Sequence, residues 1–168
     1  MDKAFEDKIK QIKNKIGEKA GFLGVWRFTL EDVKTGKKEV KYYHNIIPTV
    51  GRTLIANNLT DAAPDNDMLI SHAALGTDDT TVLEADTTLG TETYRNAIAS
   101  MTNSNNIAYA TAYYNQTECN GTYKEAGIFC DGAGGADTGI LLSHVNIDVT
   151  KSNTQKLTVD WTLTLLSA

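Results

Sequence analysis

Proline and cysteine are nearly missing: 2 of each occur in 168 residues, and the 13 glycines follow no repeat. Collagen-like and proline-rich linker classes are thereby excluded. No apolar run approaches the roughly 18 to 20 residues needed to cross a bilayer, which argues against a membrane protein. The charged N-terminus lacks the apolar stretch of a secretory signal. Two cysteines, Cys119 and Cys130, make no C-x-x-C motif and no metal site of their own. What is present suits one domain of ordinary size with a short appendage. Hydrophobic residues are 41% of the chain and charged residues 22%, enough for a packed core.

The net charge of -5 is unevenly distributed. Residues 1 to 41 carry +4 and the remainder -9. A basic leader on an acidic body hints at nucleic acid. The lysines, however, alternate with acids as on a solvated face, and the acidic body would repel phosphates. No nucleic-acid partner is expected.

Residues 2 to 20 read as an amphipathic helix capped by Asp2 and ended by Gly17 or Gly21. Phe5, Ile9, Ile12 and Ile16 form one apolar seam, with lysines and acids off it. A helix this short is marginal alone. Its seam therefore needs a partner, either the chain's own body or another copy. We take the second as the expectation: these four residues are the candidate partner-binding set, and isoleucine in such positions favours three strands over two.

Residues 21 to 47 form a hairpin joined to the body. Trp26, Phe28 and Leu30 alternate with polar residues, Lys34-Thr35-Gly36-Lys37 turns the chain, and Val40, Tyr42, His44 and Ile46 return. Residues 48 to 168 make up the body. Pro48 opens a short helix ending near Asn57-Asn58, and Met68 to Leu75, Asn96 to Met101 and Ile107 to Asn115 read as strands. Asn120-Gly121 is the strongest hairpin signal. It predicts Ile107 to Asn115 pairing with Tyr123 to Phe129, Cys119 facing Thr122 and Cys130 facing Thr111, too far apart to bridge. Ile140 to Val149 follows, and Leu157, Val159, Trp161, Leu163 and Leu165 alternate without a break. The pattern is mainly β: an antiparallel β-sandwich with an N-terminal amphipathic helix and one short internal helix.

Chemistry is sparse. No nucleophile elbow, zinc helix or phosphate loop occurs, so neither an enzyme nor a cofactor is expected. His44, His72 and His144 are isolated from one another. Asp65, Asp67, Asp78, Asp79, Glu84 and Asp86 are acidic as calcium loops are, but lack the EF-hand order. Glu92 and Glu125 are the carboxylates most open to a catalytic reading. The better expectation is that each fixes loop geometry, Glu92 by pairing with Arg95. Tyr42, Tyr43, Tyr113 and Tyr114 offer rings to a sugar, although adjacent strand residues face opposite ways.

Five groups of residues, in order along about residues 45 to 165, resemble a diffuse group of tailed-bacteriophage virion proteins. They are Asn45-Ile46-Ile47-Pro48-Thr49-Val50-Gly51-Arg52; Ala73-Ala74-Leu75-Gly76-Thr77; Asp86-Thr87-Thr88-Leu89 with Glu92 and Arg95; Asn120-Gly121-Thr122 with Glu125-Ala126-Gly127-Ile128-Phe129; and Leu157-Thr158-Val159-Asp160-Trp161. The resemblance implies a structural protein of the tail, baseplate or fibre-attachment region, located in the virion and assembled in the host cytoplasm. Its partners would be its own copies, as a homotrimer, and other virion proteins. A capsid decoration or head-fibre protein and a module binding host glycan are the alternatives.

Overall fold

The computed structural model describes residues 2–16, 21–60 and 67–166. The chain runs α1 (Lys3–Ile16), β1 (Gly21–Asp32), β2 (Lys38–His44), α2 (Thr49–Thr60), β3 (Ile70–Gly76), β4 (Glu92–Ala97), β5 (Ser100–Ser104), β6 (Ile107–Tyr114), β7 (Gly121–Cys130), β8 (Ile140–Lys151) and β9 (Gln155–Leu166). It is mainly β, as its alternating segments lead one to expect. Two antiparallel sheets face each other, one ordered β2-β1-β9-β6-β5 and the other β4-β3-β7-β8. None of the described helices is long and apolar enough to cross a membrane.

The alternation of β9 explains its central place. Leu157, Val159, Trp161 and Leu163 point into the sandwich beside Trp26, Phe28 and Leu30 of β1, and all seven are buried. Trp26 lies opposite Trp161 in the ladder. Both indole N–H groups donate to one acceptor on the facing sheet, Ser143 Oγ, at 3.2 and 3.1 Å. Burying two large rings leaves two donors to satisfy, and a single serine in β8 accepts from both. Tyr114 makes the corresponding tie at the other side, donating to the carbonyl of Ala73 at 3.0 Å. Gly51 lets α2 approach β8: a Cβ there would lie 2.9 Å from the Leu141 carbonyl oxygen.

β1 and β2 pair as a hairpin, and β1 also pairs along its whole length with β9 inside the larger sheet. Two expectations are corrected. First, Asn120-Gly121 does not turn a hairpin. β6 pairs with β5 and β9, and β7 with β3 and β8, so the 115–120 connection passes from one sheet to the other. Cys130 consequently faces Ile70 and Ile140 rather than Thr111. Buried Lys151 holds that connection, donating to the Glu118 carbonyl and to Asn120 Oδ1, each at 2.8 Å. Both cysteines are free and buried, and burial pushes each thiol up to about 12.

The second correction concerns the N-terminal seam. Asp2 caps α1 as expected, its Oδ1 accepting the Phe5 amide at 2.9 Å. Phe5 and Ile9, however, are 1% and 5% exposed within the chain itself, packed on Leu23 and Val25 of β1. Ile12 is half-buried against the same group. Of Ile16 only the helical backbone is described, and Gly17 lies outside the described residues. The outer face of β1 carries its own apolar pair, and α1 covers it. At Phe5 and Ile9 the seam therefore does not stand open to a neighbour.

Candidate functional site

Fifteen residues, 77–91, separate β3 from β4 and form a strap over the outer face of the four-stranded sheet. Such a long connection carries many backbone groups that need partners. Glu125 of β7 and Asn146 of β8 supply several of them, and His144 of β8 binds a strap carboxylate. Glu125, 2% exposed, accepts the amides of Thr91 at 2.7 Å and Gly90 at 2.9 Å. Asn146 accepts the Val82 amide at 2.9 Å and donates to the Thr80 carbonyl at 2.7 Å. His144 lies between two carboxylates, with Nδ1 2.9 Å from Asp86 and Nε2 3.0 Å from Glu125. Gly76 is required beneath this carboxylate, because a Cβ there would collide with Glu125 and with the Thr91 carbonyl.

A cavity of about 320 Å³ lies beside the strap, lined by Asp78, Asp86, Glu125, His144 and several threonines. Its charged groups already have partners. Asp78 accepts from the Thr80 amide and hydroxyl, and Asp86 from the Leu83 amide as well as His144. Glu84 pairs with Arg52 of α2 at 2.8 Å. Asp78, Glu84 and Asp86 are thus engaged as loop caps and ion pairs; Asp67 caps the Leu69 amide, and Asp65 lies outside the described residues. Among the described residues, no group of three or more His, Cys, Asp or Glu side chains could hold a metal ion.

The second cluster joins β4 to the glycine-rich 131–139 loop. Arg95 and Glu92 form a two-pronged pair at 2.7 and 2.8 Å, each side chain 2% exposed. The remaining Arg95 nitrogen donates to the carbonyls of Ala133 and Thr138, and its guanidinium lies 4.3 Å from the Phe129 ring centre. Glu92 also accepts the Asp137 amide. Here the expected pairing is observed, and it fixes the loop. Nearby His72 is pushed toward its neutral form, by burial first and then by Arg95, against a weaker opposing pull from Glu92.

Burial raises the Glu125 carboxyl, but the bonds from His144 and the Thr91 and Gly90 amides outweigh it and hold it below the ordinary 4.5. The stabilisation is complete above pH 4.5 and disappears as pH falls through the lowered native value. Denaturant melts from about pH 7 to about pH 3 should therefore show stability falling on the acid side, and Glu125→Gln should flatten that limb.

The four tyrosines expected to offer rings do not form a platform. Tyr114 is fully buried, Tyr43 packs edge-on against Phe28 and bonds to Asp148, and Tyr42 is half-buried with its ring tilted against Phe5. Tyr113 alone of the four is exposed, at 44%. Sequence reasoning gave no role to His144, whose partners lie 58 and 19 residues away. No family model, curated protein or solved structure matches the chain.

Proposed function

We propose that this chain is a structural subunit of a tailed-bacteriophage virion, in the tail, baseplate or fibre-attachment region, acting by assembly as a homotrimer with no catalytic step. One observation carries the reading. The groups of residues that resemble virion proteins, dispersed over about 120 positions, are tied together on the four-stranded sheet and, across the sandwich, to β9. Ile46 bridges to His144, Arg52 pairs with Glu84, Asp86 and Glu125 share His144, and Arg95 lies over Phe129. Trp161 joins them from the opposite sheet through Ser143 of β8.

Their shared task is to hold loops on a scaffold. That also supports a reading through assembly, since both His144 nitrogens have partners and both thiols are buried. With Phe5 and Ile9 covered by β1, the subunit contacts of this proposal lie on other surfaces. Immunogold imaging of particles of the encoding phage, together with the native mass of the purified chain, tests it. Labelling of the tail or baseplate and a trimeric mass are expected. Labelling of the head would favour the capsid-decoration alternative, and absence from particles would overturn the proposal.

A further inference from the structure

We propose that a trough beside α1, on the outer face of the five-stranded sheet, binds a neutral oligosaccharide. The register places Ser100, Thr102 and Ser104 of edge strand β5 opposite Thr111, Tyr109 and Ile107 of β6. Alternation puts these six side chains on one face, with the three β5 hydroxyls about 7 Å apart. α1 covers β1 on that same face, so its flank walls the trough on one side.

The result is a concavity of about 410 Å³ that includes Glu6, Arg27, Ser100, Thr102, Tyr109 and Asp160. A recess of about 230 Å³ continues it, sharing Glu6, Ser104 and Tyr109. The two form one elongated site with a tyrosine near its middle, in the size range of ligand pockets.

The state of its polar groups indicates the ligand. In the strap cavity the charged groups are engaged by other parts of the chain. In the trough, Arg27 and Asp160 are paired with each other at 2.8 Å, and Asp160 also accepts from Thr111. The side chains of Ser100, Thr102, Ser104 and Tyr109 have no hydrogen-bond partner among the described residues. Each hydroxyl can both donate and accept, which suits a ligand made of hydroxyls. Charges along the trough balance, Glu6 and Asp160 against Arg27 and Lys10, which suits a neutral glycan rather than a charged one. The Tyr109 ring supplies the apolar surface a pyranose face requires. This surface is separate from the layer behind the virion proposal, and the inference stands or falls independently of it.

The test is an array of immobilised neutral hexose and N-acetylhexosamine oligosaccharides, with sialylated and sulfated ones alongside. It is probed with the full chain and with Tyr109→Ala, Thr102→Lys and Thr122→Lys. Thr102 and Thr122 are both exposed strand residues, but Thr122 lies on the other sheet. Retention of a neutral glycan is expected, weakened about tenfold or more by Tyr109→Ala and by Thr102→Lys and unchanged by Thr122→Lys. Should Tyr109→Ala fail to fold, Thr102→Lys on the exposed edge decides. Retention of no neutral glycan, of charged glycans alone, or of a neutral glycan equally by all variants would overturn the assignment.

Discussion

Glu125→Ala should destabilise the chain by about 3 kcal/mol or more, because it leaves several buried hydrogen-bonding groups without their partner, at about 1–3 kcal/mol each. The side chain is almost fully buried and bonds to the strap amides of Asp78, Gly90 and Thr91 and to His144. Truncation removes the partner of all four groups together. His144 would be left with one carboxylate, on a strap no longer held at Gly90 and Thr91. Denaturant unfolding of the variant measures the loss. Glu84→Ala is the matched control, because Glu84 pairs with Arg52 on the same strap but its side chain is 71% exposed. Its effect should stay below about 1 kcal/mol. Equal losses in the two variants would mean that burial does not set the strength of these ties.

Phe5→Ala should cost about 3 kcal/mol, as large-to-small changes at buried aromatic positions do. Phe5 fills the space between α1 and β1, lies 5.9 Å from the Tyr42 ring centre, and has the Arg27 guanidinium 4.6 Å from its own ring centre. Arg27 is in turn bound to Asp160 and Asp2. The truncation therefore removes an apolar contact and loosens the charged group stacked on it. Because Phe5 packs within its own chain, unfolding melts should show the same loss at every protein concentration. A loss confined to concentrations at which subunits associate would instead return the seam to an interface between copies.

Elements governed by local pattern could be read from the chain. The alternation from Leu157 to Leu165, the Asp2 cap and the three-residue spacing of Glu92 and Arg95 each carry their meaning within a few positions. Partner choice across the fold could not be read the same way. Asn120-Gly121 has the chemistry of a tight hairpin, yet Ala110, Ala112 and Tyr114 face the core from one sheet while Tyr123 and Ile128 face it from the other. Burial of both faces prevails over the local turn preference. The strand read through Asn96 to Met101 breaks for a similar reason. Successive amides of Ile98 and Ala99 bond to Ser71 in one sheet and Thr111 in the other. For the apolar seam of α1, periodicity identified the face but left its cover open, since a β1 with apolar residues on both faces was read from its inward set alone. His144 was hardest to read, because its role depends on loop and strand partners that come close only after folding.

Amide hydrogen exchange at Gly90 and Thr91 tests most directly whether the charged clusters are ties of a scaffold. In the intact chain both amides should exchange as slowly as the core of β9. In Glu125→Gln they should exchange far faster while β9 remains protected. Unchanged protection at both positions in Glu125→Gln would contradict the account.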